Sequence, residues 1–252
     1  MSRMISELDA VVIAVHSLAE AADDYASLLG QPAREEQFRG ITSVRFQLAN
    51  TAVRLVETDE RQGLKQLIFA CPDTASAQQR LPKVGLEFVE AQSDDRFLSL
   101  QPETTRGLNL ALTEQDTAGL DYSASESAIE GLDHAVIASG DGDLTSALLS
   151  ARLQLDMRLD LTNPDWDARL LFFRCGDLIV EVYQPIAKPL SPEQDRFFGL
   201  SWRSANIDAT NAELRARGFD VSDVRVGRRA GTRVCTVRDR THGVPTLILG
   251  RD

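Results

Sequence analysis

The sequence predicts an α+β protein of four βαβββ units, paired into two tandem domains with cupped mixed sheets. Two observations carry this. The run LDAVVIAVHSLAEAADDYASLLGQP, from Leu8, returns as LDHAVIASGDGDLTSALLSARLQL from Leu132. Each copy reads as an apolar strand followed by a helix. Short alternating segments bounded by turn residues then follow each helix, the pattern of half-buried strands.

The first helix opens on a capping box, Ser17 with Glu20, and stops at Gly30 with Pro32 just beyond. Its apolar residues Leu18, Ala21, Ala22, Tyr25, Leu28 and Leu29 recur at helical spacing. ITSVRFQLANTAVRLVET gives two strands around a turn at Ala49-Asn50-Thr51. KQLIFACPDTASAQQRLPKVGLEFVE repeats strand, helix and strand, with Asp73 as cap and Gly85 as stop. RFLSLQP and GLNLALT complete that unit. The polar, acidic stretch EQDTAGLDYSASESAIE reads as a linker. The expected domains are therefore 1–116 and 130–252, joined by 117–129.

In the second half the helix starts after Asp143 and runs through Leu144, Ala147, Leu148 and Ala151. ARLLFFRCGDLIVEVYQP is a strand pair turning at Cys175-Gly176-Asp177. Aligning the two turns places Phe46 on Phe173 and Arg54 on Glu181. GLSWRSANIDATNAELRARGFDVSDV carries the last helix between Asp208 and Gly218, and TRVCTVRD and VPTLILG close the chain. A unit of this kind cannot bury its sheet face alone, so neighbouring units should close on one another.

Composition narrows the function. Apolar residues are 43% and charged residues 26%, a globular balance. The net charge of −11 argues against nucleic-acid backbones and anionic membranes. No apolar stretch approaches the ~20 residues of a membrane span, and MSRMISELDA lacks the apolar region of a signal peptide. Cys71, Cys175 and Cys235 are odd in number and form no CxxC pair, so a reduced, cytoplasmic protein is expected.

The LDH opening strand, GDLIVEVYQP, the closing VRDRTHGVPTLILG and the four-unit order together resemble the vicinal oxygen chelate superfamily. That group holds glyoxalases, bleomycin-resistance proteins and extradiol dioxygenases. In its metal-dependent members, the first and fourth strands of each unit in a paired cup offer four positions to one divalent metal. The resemblance puts His134 and Glu181 at two of them, as metal ligands and as the catalytic candidates. The other two fall on Gly199 and Leu247, which cannot bind metal. In the first half the four positions read Ala10, Arg54, Gln66 and Ala111, a vacated site. The resemblance so implies at most one divalent metal ion, weakly bound. A third ligand would have to come from Asp165, Asp167, His242 or a partner subunit. Without metal, Glu181 would orient His134 as a general base.

Around that pair, Tyr183 shares a strand face with Glu181. Trp202 is a flat wall for a ligand or a packing residue. Arg233 and Arg238 either clamp an anionic ligand or pair with the many acids. His16 and His242 sit at turns and read as solvated. Two functions stay open: a metal-assisted lyase, isomerase or dioxygenase acting on a small oxygenated organic molecule, or a metal-free small-molecule binding protein. The expected partner is that small molecule, with neither nucleic acid nor membrane, and a homodimer is left open.

Overall fold

The computed structural model describes residues 4–89, 96–114, 122, 124–125 and 129–251. The first unit runs β1 (Glu7–Val15), α1 (Leu18–Leu29), β2 (Arg34–Phe38), β3 (Ile41–Gln47) and β4 (Ala52–Glu57). The second runs β5 (Gly63–Ala70), α2 (Thr74–Arg80) with a 3-10 turn Leu81–Val84, β6 (Phe97–Ser99) and β7 (Leu110–Thr113). The third runs β8 (Ile129–Ala138), α3 (Gly142–Ser146) prolonged by a π-helical turn Ala147–Arg152, β9 (Asp156–Asn163), β10 (Ala168–Cys175) and β11 (Leu178–Pro185). The fourth runs β12 (Arg196–Ser204), α4 (Ile207–Ala216), β13 (Arg225–Val226), β14 (Thr232–Val237) and β15 (Thr246–Arg251).

These strands form two mixed sheets. One has seven strands in the order β2-β3-β4-β1-β5-β7-β6, and the other eight in the order β13-β14-β15-β12-β8-β11-β10-β9. The first and last strands of a unit pair in parallel, as β1 with β4 and β12 with β15, while hairpin neighbours are antiparallel. The second unit is the thinnest: its expected strand GLEFVE contributes an isolated bridge, Phe88 to Leu100. The expected linker lies outside the described residues apart from Tyr122, Ala124, Ser125 and Ile129. No described helix is long and apolar enough to cross a membrane.

Local chemistry explains the helix ends. Ser17 accepts from the Glu20 N–H, and Gly30 closes α1 in the left-handed region at φ 66°. Asp73 caps α2 through the Ser76 N–H. The third helix starts earlier than the sequence suggested: Asp141 is its cap, accepting from Asp143 and Leu144. The cap of α4 is Asn206, which accepts from the Ala209 N–H, while Asp208 is the second residue of the helix and is held by Arg233.

The two hairpins repeat residue for residue. Phe46 pairs with Val53 and Arg45 with Arg54; in the third unit Phe173 pairs with Val180 and Phe172 with Glu181. Phe46 and Phe173 are fully buried on the helix side, where Tyr25 of α1 meets Phe46 at 6.4 Å between ring centroids. Alternation then sends Arg54 and Glu181 to the helix-free faces.

By contacts the chain gathers into two compact units, each drawing on both halves of the sequence. One comprises Met1–Asp9, Gln66–Thr117 and Ala135–Phe198. Its core includes Phe69, Leu112, Phe173 and Val182. In it Arg106 grips Asp195 in bidentate fashion, at 2.9 and 3.2 Å, and Thr145 donates to the same carboxylate at 2.7 Å. The other comprises Ala10–Lys65, Ala118–His134 and Gly199–Asp252. Tyr25, Phe46, Leu55 and Trp202 are among its buried residues. There Asp24 of α1 accepts from Arg240 at 2.6 Å and meets His242 Nε2 at 2.9 Å.

Candidate functional site

His134 lies on β8, half-buried, with Nδ1 3.0 Å from Asp133 Oδ1. Burial pushes the Asp133 carboxyl up, but the His134 hydrogen bond and the nearby charges of His134, Arg203 and Arg251 hold it below the usual carboxylate range. Since the carboxylate accepts, Nδ1 is the donating nitrogen and Nε2 is turned away from Asp133.

Glu181 lies on β11, also half-buried. Register places it in the cross-strand row Leu159, Phe172, Glu181, beside the row Leu161, Leu170, Tyr183. The alternate residues Leu171, Phe173, Val180 and Val182 are buried on the helix side, where Leu171 lies against Gly142 of α3. The first two rows are therefore a helix-free, apolar and aromatic surface with a single carboxylate set into it. Tyr183 meets Phe198 at 6.1 Å between ring centroids. Leu159 and Phe198 remain 49% and 46% exposed.

The other expected residues lie on the fourth unit. Trp202 is fully buried and shares the parity of Ser204, which bonds Thr210 of α4, so its ring packs on the helix side. Its Nε1 is buried without a hydrogen-bond partner among the described residues. Arg233 forms a bidentate pair with Asp208 of α4, at 2.6 and 2.9 Å, and Arg238 pairs with Asp220 at 2.8 Å. Both guanidiniums are thus engaged with carboxylates of the protein. Gly199 is glycine for a steric reason: a Cβ there would lie 2.4 Å from the Pro245 carbonyl oxygen.

Two of the candidates for a third ligand have partners within the protein. Asp167 accepts from the Ala187 N–H at 2.6 Å. His242, expected at the surface, is nearly buried; its Nδ1 meets Gln62 Oε1 at 3.2 Å and its Nε2 meets Asp24. Among the described residues, no group of three or more His, Cys, Asp or Glu side chains comes together that could hold a metal ion. A catalytic divalent metal needs about three protein ligands, so these residues do not fit one.

Sequence reasoning passed over Arg45, the register partner of Arg54 and the counterpart of Phe172. The turn alignment that found Arg54 carries Arg45 with it, but its pairing across the strands shows only in the register.

Residues 133–236 match the model of the Glyoxalase/Bleomycin resistance protein/Dioxygenase superfamily. No curated protein matches the chain in sequence. Several solved structures share its fold. The Mn(II)-bound glyoxalase from Novosphingobium aromaticivorans superposes with a TM-score of 0.76 at 14% identity, covering 99% of this chain and 83% of that one. The 2,3-dioxygenase LapB from Pseudomonas sp. KL28 gives 0.73 at 15% identity, covering 99% and 93%. A mutant of 4-hydroxymandelate synthase from Streptomyces coelicolor gives 0.74 at 13% identity, covering 98% and 93%. The likeness spans all four units, so the chain has the fold of these proteins, and its second half matches the superfamily's model.

Proposed function

We propose that this protein binds a small oxygenated organic molecule on the helix-free face of the third unit, without a resident metal. The observation that carries the reading is the row Leu159, Phe172, Glu181, with Tyr183 beside it. Leucine and phenylalanine supply apolar contact, Tyr183 an aromatic wall, and the Glu181 carboxylate an acceptor for a ligand hydroxyl. The donor set suits binding better than catalysis through a divalent ion. Related folds include a Mn(II)-bound glyoxalase and dioxygenases, and these motivate the second reading. In it, His134 and Glu181 share a weakly held metal in a lyase, isomerase or dioxygenase.

Calorimetric titration with simple phenols and catechols tests the first reading. Phe172→Ala should weaken the best of them roughly tenfold, the loss of one aromatic contact. Unchanged affinity in that variant would place the ligand elsewhere. Elemental analysis after dialysis separates the two readings. A stoichiometric metal, lost in both His134→Ala and Glu181→Gln, would replace the binding protein by the metal-dependent enzyme.

A further inference from the structure

Arg34, Arg45 and Arg54 are register partners across β2, β3 and β4. Their side chains therefore leave the sheet on one face. It is the helix-free face, since α1 packs through Tyr25 on Phe46, of opposite parity. The same row in the third unit is Leu159, Phe172 and Glu181. The two halves thus share the geometry, but one row is apolar and acidic and the other holds three arginines, in a chain of net charge −11.

Arg45 and Arg54 are each only 6% exposed. Like charges directly opposite on paired strands repel, and a buried cation is costly without a counter-charge. Arg54 has one: its Nη1 bonds Glu36 Oε1, and its guanidinium stacks 3.9 Å over the Phe38 ring. Arg45 differs. Among the described residues its guanidinium has one hydrogen-bond partner, the neutral Gln47 amide at 3.3 Å, and its Nε is buried with none.

We infer that this face of the first unit binds a small organic carboxylate beside Arg45 and Arg54. A carboxylate matches the planar fork of a guanidinium, would satisfy the orphaned Nε, and would offset the second buried charge. Phe38 and Val12, the register partner of Arg54 on β1, give the row an apolar flank. The acid should therefore carry a short aromatic or aliphatic body. β2 is the edge strand, and Arg34 at its exposed end of the row draws anions inward. The site uses none of the residues of the third-unit face, so either proposal can fail without the other.

The test is calorimetric titration of the full chain with benzoate at low ionic strength, and with inorganic phosphate for comparison. Benzoate should bind saturably, and more tightly than phosphate. Arg45→Met should weaken it roughly 10- to 100-fold, the loss of charge-assisted hydrogen bonds. The same variant should raise the melting temperature of the ligand-free protein, because it removes a buried cation. Glu36→Gln should tighten benzoate by removing a competing carboxylate. Arg96→Gln, at an exposed pair with Glu114, should leave binding unchanged. The proposal is overturned by absent benzoate binding at tens of millimolar, by undiminished binding in Arg45→Met, by phosphate binding more tightly, or by an equal loss in Arg96→Gln.

Discussion

At the scale of single residues, charge placement follows burial. Exposed arginines such as Arg233 and Arg238 find surface acids, and such pairs contribute little. Arg106 is a different case. It adopts φ 59°, an uncommon backbone state outside glycine, and its guanidinium meets Asp195, whose side chain is 0% exposed. Removing it would strand a buried carboxylate with Thr145 as a remaining donor. Arg106→Ala should cost about 3–5 kcal/mol in urea unfolding; a change within the range of surface substitutions would show that water reaches Asp195. The cysteines follow the same logic without charge. Burial pushes the Cys71, Cys175 and Cys235 thiols up, so they behave as small hydrophobes rather than nucleophiles.

At the scale of elements, the four units share a plan but differ in what their strands can carry. In the fourth unit, β12 and β15 run parallel, and the Leu200 N–H bonds the Pro245 carbonyl at 3.0 Å. That close approach is what forbids a side chain at Gly199. Gly199, the position that the resemblance led one to expect at a metal site, is thus closed to any side chain. Gly199→Ala should destabilise the protein by about 1–3 kcal/mol, the range for overpacking a filled site. Denaturant midpoints measure this, and a neutral substitution would mean that Pro245 moves freely. The first and third units differ the other way: their hairpins are superposable in register, and chemistry alone separates Arg45 and Arg54 from Phe172 and Glu181.

At the scale of the whole molecule, the sheets follow the two halves of the sequence, whereas each compact unit draws on both. Within one unit, Asp24 holds Arg240 and His242, and Asn50 bonds both the N–H and the carbonyl of Leu132. A fragment of residues 130–252 would lose Asp24 and Asn50 and expose the surfaces that they cover. It should show no cooperative thermal unfolding by circular dichroism; a sharp transition near that of the full chain would mean that the half is self-sufficient. The sequence by itself determined the order of the four units, the cap at Ser17, the stops at Gly30 and Gly85, and the two hairpin turns. Each of these depends on residues within a few positions, where dihedral preference and side-chain capping decide. It also placed Arg54 on Glu181, because equal hairpins keep equal register. Only the tertiary structure decided that Trp202 packs on the helix side, since Gly199–Trp202 of β12 are buried on both faces and one strand's alternation has no absolute direction. It alone gave Arg233 to Asp208, His242 to Asp24, and Arg45 to the row between Arg34 and Arg54. Those partners are set by cross-strand register and by segments remote in sequence, and no local propensity encodes them.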